Sequence, residues 1–323
     1  MNEKDRDRSG DGAGPVAHID SNKSLKALCG IIMLLFFCVP LRGEPMPLDG
    51  DGNRLRGLSL IVDVGVLNAS DIHANFYNGS PNNVNTLNRI LYSETYGNAI
   101  WNRLTELDLI GSSVANYNQI TVAEYGDMYY QLAMQLGLGF RYDLEYIDWA
   151  WQVLFNYAKL NAVGQVLLNS GHNQTYLTNQ NAYVVCPTLG VEERIYFDLG
   201  LIKKIRLSNG LDFEIGAGVN ANNTKVESSE IQIAGVKYSI LDIWNGQSPS
   251  SYVGSYEYIN QGGLGLGGYA SLSLGITLPV GTALSLGYVF NYNKTNLQGY
   301  EKYAPHHSFR LTVALNNFSF FDK

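Results

Sequence analysis

Apolar and polar residues alternate along the chain in eight separate runs that begin after residue 55. In the first run, apolar side chains occupy every second position from Leu58 to Val66, and Asp63 lies between them. The other seven runs cover 130–141, 149–157, 194–201, 211–220, 264–278, 284–292 and 309–315, the last continuing through Phe318 and Phe320. A period of two is the pattern of a β-strand with two chemically different faces. The pattern therefore predicts eight strands.

The connections between these runs are predicted to alternate strictly between short and long. The short ones lie at 143–146, 208–210 and 279–282, and the second contains an Asn-Gly hairpin signal. The long ones lie at 68–128, 161–187, 221–262 and 294–308. Outer-membrane barrels sort their connections in this way, with short periplasmic turns and long outer loops. We therefore predict an all-β fold, an eight-stranded antiparallel up-and-down transmembrane β-barrel with long extracellular loops.

Aromatic residues on or near the apolar face fall at the strand ends. Aromatic rings collect at the two interfaces of a membrane barrel, whereas those in the core of a soluble sandwich have no reason to sort there. Alternation alone also fits a soluble lipocalin, whose apolar face points inward. The predicted aromatic belts contain Tyr130, Phe140, Trp149, Trp151, Tyr157, Tyr288, Tyr292, Phe309, Phe318 and Phe320.

The opposite face carries polar and charged residues, which we expect to line the lumen. An eight-stranded barrel is just wide enough for side chains to fill, and isolated buried charges are costly. A hydrogen-bonded plug is therefore favoured, with a selective conduit for small solutes as the alternative. The predicted network contains Asp63, Gln131, Gln135, Arg141, Gln152, Asn156, Arg194, Asp198, Asp212, Glu214, Asn291 and Arg310.

The N-terminal region carries the pattern of an export signal. An apolar run of 14 residues spans 27–40 and follows Lys23 and Lys26. It is shorter than the ~20 residues that a membrane-spanning helix needs, which favours a cleavable signal peptide over an anchor. We predict an extension and export signal at 1–43, a short periplasmic lead at 44–55 and the barrel at 56–321. Removal of the signal would leave Cys186 as the one thiol, which excludes a disulfide scaffold.

The first long loop is predicted to contain short helices. Asn98 is a candidate N-cap for a helix that runs to Ile110 and is closed by Gly111, and an earlier piece around Leu87 has the same spacing. Packing over the barrel mouth is the favoured interpretation, and capture of an apolar ligand or a host partner is the alternative. The third loop is rich in Tyr, Ser and Gly, a composition found on protein-binding surfaces.

Charge and motifs narrow the function further. Charged residues make up 16% of the chain and the net charge is −7, so the chain lacks the basic patch that nucleic acid would require. The sequence shows no G-x-S-x-G, P-loop or dinucleotide motif. His306 and His307 are adjacent without spaced partners, which is a poor metal site. We expect no enzymatic activity, no cofactor and no bound metal.

This arrangement of strands and loops over 56–321 resembles the small eight-stranded outer-membrane barrels of the OmpA, OmpX and OmpW type. The resemblance is one of class, since no short sequence motif supports it. The C-terminus differs from the usual pattern: such barrels usually end on an aromatic residue, whereas here Asp322 and Lys323 follow the last aromatic residues. It implies a monomer in bacterial outer-membrane lipid. Two functions are expected: an adhesin- or antigen-like surface protein that contacts host or extracellular proteins, or a narrow channel for small or hydrophobic molecules.

Overall fold

The alternating runs form long antiparallel strands in the computed structural model, which describes residues 57–144, 148–172, 182–208, 210–241, 261–278 and 282–315. The predicted export signal and periplasmic lead fall outside these residues. The eight main strands are β1 (Gly57–Asn68), β2 (Ala133–Asp143), β3 (Trp149–Asn169), β4 (Tyr183–Ser208), β5 (Leu211–Ile233), β6 (Gly262–Thr277), β7 (Thr282–Leu297) and β8 (Lys302–Leu315).

Each main strand pairs antiparallel with the next one in the chain, and β8 pairs with β1. The ring is therefore closed, and the predicted eight-stranded up-and-down barrel is confirmed. Closure matters because it leaves none of these eight strands with an unpaired edge at the level of the barrel.

The register of the ring gives the tilt of its strands. Ala158 on β3 lies opposite Gln135, and the same row of partners can be followed through the other strands to Lys204 on β4. The amide of Lys204 donates to the carbonyl of Asp148, so the row returns to β3 at a point 10 residues from Ala158. A stagger of this size in a ring of eight strands corresponds to a tilt of roughly 35–45°.

The outward face of the barrel is an exposed apolar band. Leu138 is 55% exposed and Leu286 is 65% exposed, values that are unusual for leucine in a soluble protein. Along β3 the band runs from Trp149 to Tyr157, about 20 Å along the barrel axis at this tilt. That height is close to the ~25 Å apolar band of outer-membrane barrels.

Above this band the outward face becomes charged on β3, β4 and β5. Lys159, Glu193, Lys225 and Glu227 form a set of surface ion pairs that we call the charged girdle. The Nζ of Lys159 lies 2.5 Å from an oxygen of Glu227. Charge at this level marks the end of the surface that hydrocarbon could cover. We call the barrel end beyond the girdle the loop end and the opposite end the turn end.

Three of the strands continue well past the girdle. Here β3, β4 and β5 form a sheet that is widened by the short strands Val122–Tyr125 and Val236–Ser239, which pair with β3 and β5. We call this the outer sheet. The prediction that 161–187 and 221–262 are loops is therefore wrong where these segments adjoin the strands, since β3 continues to Asn169, β4 begins at Tyr183 and β5 continues to Ile233. Backbone pairing continues beyond the apolar band because the outer parts of β3, β4 and β5 pair with each other and residues 69–132 pack against them.

The predicted fourth long connection, 294–308, is also wrong. The structure extends β7 to Leu297 and begins β8 at Lys302, so four residues connect them. Gly299 has a φ of 81°, the left-handed conformation that a tight turn needs and that glycine adopts without strain. The strands are therefore joined at the loop end by three longer connections, of which residues 173–181 and 242–260 lie outside the described residues.

The first long connection, residues 69–132, is a folded unit that we call the cap. It contains helices α1 (Asn88–Leu91) and α2 (Glu94–Glu106) and two 3₁₀ turns, Ala74–Tyr77 and Tyr117–Gln119. None of the described helices is long and apolar enough to cross a bilayer.

The limits of α2 differ from the prediction. Ser93 is the N-cap and accepts a hydrogen bond from the amide of Tyr96, so the helix begins before Asn98. It ends at Glu106 because Asp108 adopts φ 52° and the amide of Leu109 donates back to the carbonyl of Leu104. This Schellman turn ends the helix before the predicted Gly111.

Candidate functional site at the loop end of the barrel

The cap is held on the inner face of the outer sheet by an apolar core. Ile100 and Leu104 of α2 are fully buried in it, together with Leu91 of α1. The sheet contributes Val166, Leu168, Val184, Cys186, Ile231 and Ile233. Burial raises the pKa of the Cys186 thiol to about 12, so this residue is a packing group and not a thiolate. The cap is therefore a packed unit with its own core.

A second apolar cluster closes the mouth of the barrel beneath the cap. Phe76 and Tyr77 of the first 3₁₀ turn are fully buried in it. Tyr77 packs where β4 has Gly190, and a Cβ on this glycine would lie 2.1 Å from the tyrosine ring. The hydroxyl of Tyr77 donates to Glu192 at 2.7 Å. Burial and this carboxylate raise the pKa of Tyr77 well above its usual value, so the hydroxyl keeps its proton.

A buried charge cluster lies below Tyr77. The Nε of Arg194 is 2.5 Å from Glu192, and both side chains are inaccessible to solvent. The hydroxyl of Tyr130 donates to the same carboxylate at 3.0 Å and accepts from Arg194 at 3.2 Å. The guanidinium also lies over the Tyr130 ring, 5.3 Å from its centroid. These contacts pair two charges that would each be costly if they were buried alone.

The prediction that Tyr130 belongs to an aromatic belt is wrong, since its side chain is 5% exposed and points into the barrel. The prediction that Gln131 lies in the lumen is also wrong, because it is exposed. Tyr130 pairs with Ala162, whereas Gln135 pairs with Ala158, so there is one extra residue between them on this side of the ladder. Such a bulge moves the residues before it to the opposite face.

Two histidines stack beside this cluster. His73 of the cap and His306 of β8 have ring centroids 5.8 Å apart, and their planes differ by 15°. His73 Nε2 contacts the carbonyl of Lys302 at 3.0 Å. Burial and the nearby positive charge of Arg194 lower the pKa of His73 to about 4, so it is neutral at pH 7.

His306 and His307 lie in β8 rather than in the predicted loop, and their rings point to opposite faces. His307 is on the outward face, where its Nδ1 contacts the Tyr288 hydroxyl at 2.6 Å. Among the described residues no group of three His, Cys, Asp or Glu side chains is placed to hold a metal ion.

The middle of the lumen is crossed by an ion-paired network. Arg310 on β8 lies 3.2 Å from Asp198 on β4, the strand diametrically opposite in the ring, and 3.6 Å from Asp63 on β1. Asn156 and Asn220 both donate to Asp198, so its oxygens are well satisfied. Since β4 and β8 face each other, this contact spans the width of the barrel.

A second bridge lies nearer the turn end. Both terminal nitrogens of Arg141 donate to Glu214, at 2.7 and 3.1 Å, in a bidentate pair. Gln152 accepts from the same guanidinium, and Ser273 donates to the carboxylate. The cavity left among these side chains has a volume of about 40 Å³, far below the roughly 300–1,000 Å³ of ligand pockets.

Most of the predicted lumen residues do face inward. The buried ones are Asp63, Gln135, Arg141, Asn156, Arg194, Asp198, Glu214, Asn291 and Arg310, and the half-buried ones are Gln152 and Asp212. The structure brings Asp63, Arg310 and Asp198 together, and it places Arg194 in a separate cluster nearer the loop end.

Sequence reasoning missed Glu192, the partner of Arg194. The period of two that turns Arg194 inward also turns Glu192 inward. The predicted strand begins at Arg194, however, and so leaves Glu192 out. It also missed His73 and Tyr77. These come from the cap, and no strand pattern connects them to the lumen.

The other predicted belt residues lie on the outward face. Phe140, Trp149 and Trp151 are near the turn end, where their exposure is 44%, 38% and 37%. The remaining described members, nearer the girdle, are Tyr157, Tyr288, Tyr292 and Phe309. Phe318 and Phe320 lie outside the described residues.

Comparison with protein-family models finds no match, and comparison with curated proteins finds none. Solved structures do match. Neisserial surface protein A is 9% identical with a TM-score of 0.38, and the match covers 81% of this chain and 97% of that one. Ail, the attachment invasion locus protein of Yersinia pestis, in complex with the heparin analogue sucrose octasulfate, is 10% identical with a TM-score of 0.30, covering 80% and 97%. At these values the fold assignment rests on the strand pairing itself.

Proposed function

We propose that this chain is an exported outer-membrane barrel that presents its cap outside the cell and binds an extracellular protein there. The observation that carries the proposal is the contrast between the two parts of the molecule. The barrel interior is crossed by ion pairs such as Arg310–Asp198, whereas the loop end carries a folded unit with its own apolar core. Function therefore belongs to the loop end.

The membrane assignment is supported by the outward surface. Apolar side chains cover it for a height close to that of the apolar band of outer-membrane barrels, the strands are closed into a ring, and the charged girdle ends the band on one side. The apolar run at 27–40 supports export by a cleaved signal peptide. We further propose that the protein is a monomer and acts by binding rather than by catalysis.

A narrow channel has less support. The Arg141–Glu214 pair and the Arg310–Asp198 pair cross the lumen at two levels, and the space between their side chains is about 40 Å³. Planar-bilayer recording tests this alternative with the full chain. Steady, uniform conductance steps that disappear in an Arg310→Gln variant would favour the channel over the binding function.

Orientation in the membrane is tested by cysteine labelling of intact cells. Glu106→Cys places a thiol on the exposed end of α2, and Leu207→Cys places one on an exposed site at the turn end. A membrane-impermeant maleimide should label the first variant on whole cells and the second only after the outer membrane is opened. Labelling of Leu207→Cys alone on intact cells would reverse the orientation and contradict the proposal.

Binding is tested by adhesion of cells that express the protein to immobilised extracellular-matrix and serum proteins. A test variant carries Tyr183→Ser and Val185→Ser, which remove two side chains that are 46% and 55% exposed on the outer sheet, and it should adhere less than the native chain. Adhesion that requires the native chain supports the proposal. Equal adhesion by cells with and without the protein, over the whole panel, would contradict it.

A further inference from the structure

A cleft of about 540 Å³ opens at the loop end where helix α2 stops. Asp108 and Leu109 form one wall, directly after the helix. The other walls come from the outer sheet, from Tyr183–Pro187 at the start of β4 and from Ala234–Gly235 after β5. The volume is within the range of ligand pockets and exceeds that of a single side chain.

The electrostatic character of the cleft is negative. The carboxylate of Asp108 is exposed at its edge, and none of the described residues that line it is a lysine or arginine. The same wall is the C-terminal end of α2, where the aligned peptide dipoles leave partial negative charge. Both features favour a cation.

The rest of the cap adds to this field. Residues 69–132 contain six acidic residues and two arginines. Arg89 donates to the carbonyls of Ile240 and Leu241, and Arg103 pairs with Glu106. These side chains give the cap a net negative charge, which would attract a basic partner by long-range steering.

The walls of the cleft offer apolar contacts to the flanks of a ligand. Tyr183 is 46% exposed and Val185 is 55% exposed, and both lie beyond the charged girdle, outside the part of the barrel that lipid would cover. Exposed apolar groups with polar surroundings mark interaction surfaces. A lysine or arginine side chain has a matching form, an apolar stem that ends in a cation.

We propose that this cleft binds a lysine or arginine side chain of an extracellular peptide segment. The cation lies against Asp108 and the end of α2, and the apolar neighbours of the basic residue lie on Tyr183 and Val185. The inference deepens the proposed function and rests on it, because it names the chemistry of the partner at the same loop end.

The test measures binding of a small peptide to the full chain in detergent micelles. The probe is a fluorescent, blocked tripeptide, valine-arginine-valine, and its matched control carries citrulline, which has the shape of arginine without the charge. The arginine peptide should bind more tightly, and added salt should weaken it. Asp108→Asn should weaken it about two- to fivefold, as expected for one partly exposed ion pair.

Asparagine is chosen because it tolerates the positive φ of this position, so the turn is kept. Glu94→Gln removes one negative charge at the other end of α2 and should weaken binding much less than Asp108→Asn does. Equal binding of the arginine and citrulline peptides, or equal effects of the two variants, would overturn the proposal.

This assay is separate from the labelling of intact cells. If the cap is exposed on cells and the peptide does not bind, the proposal of a cationic ligand is wrong, and the proposed binding of an extracellular protein at the cap is unaffected. If the peptide binds purified protein and the cap is not exposed on cells, the proposed function fails and the site remains.

Discussion

Arg194 and Glu192, two residues apart on β4, form an ion pair of 2.5 Å in which neither side chain is exposed. Residues at this spacing share one face of a strand, and here that face is the lumen. The cap completes the site, since Tyr77 donates to the same carboxylate. The pair therefore couples the barrel wall to the cap.

Removal of the carboxylate should destabilise the protein strongly. Glu192→Gln leaves Arg194 buried without its counter-charge, and breaking one side of a buried pair costs about 3–5 kcal/mol. Urea unfolding followed by gel mobility measures the change. Arg103→Gln is the control, because its pair with Glu106 is exposed and is worth about 0–1 kcal/mol. Similar losses of stability in the two variants would show that burial does not determine the effect of Glu192→Gln.

Gly190→Ala should displace Tyr77 from the barrel mouth. The new Cβ would lie 2.1 Å from the Tyr77 ring, so the ring must move, and overpacking of this kind costs about 1–3 kcal/mol. Limited proteolysis of the cap measures its opening. In a Tyr77→Ala background the same glycine change should have little further effect, because the clash is absent. Additive effects in the double variant would mean that the two residues do not meet.

Acid should loosen the cap. The pKa of His73 is lowered to about 4 in the folded protein from an ordinary 6.5, so the unfolded state binds more protons between these values. The stability contributed by neutral His73 is complete above pH 6.5 and is lost as the pH falls toward 4. Hydrogen exchange of residues 69–132 at pH 7, 5.5 and 4.5 measures this loss.

His73→Gln should reduce this pH dependence, because glutamine does not titrate and can still contact the carbonyl of Lys302. His306, stacked on His73, is the other imidazole at the site, so part of the dependence should remain. An unchanged profile in the variant would exclude His73 as a contributor.

The network in the lumen should depend on its one shared cation. Arg310→Gln leaves Asp63 and Asp198 without the guanidinium that contacts both, and a loss of about 3–5 kcal/mol is expected from the unpaired carboxylates. A second change, Asp198→Asn, should restore part of this stability by removing one of the two charges. Thermal gel-shift midpoints of the native chain and of the two variants give the comparison, and a further loss in the double variant would contradict the pairing.

Much of the barrel could be predicted from residue order because its two faces differ in chemistry. Alternation placed Asp63, Arg141 and Arg310 inside and Trp149 and Phe309 outside, and a strand has no other way to sort such residues. The prediction failed where one extra residue shifts the register, as at Tyr130. A single bulge is invisible in a pattern that continues on either side of it.

The closure of the ring, its stagger of 10 residues and the partners of each charge were decided by the tertiary structure. The sequence by itself determined the fold class, the two faces and the sites of the three short turns, since these depend on local period and composition. It could not show that His73 and Tyr77 enter the barrel mouth, or that Asp108 meets β4 across a cleft. Those contacts join residues far apart in the chain, and their energies exist only when the cap is packed on the outer sheet.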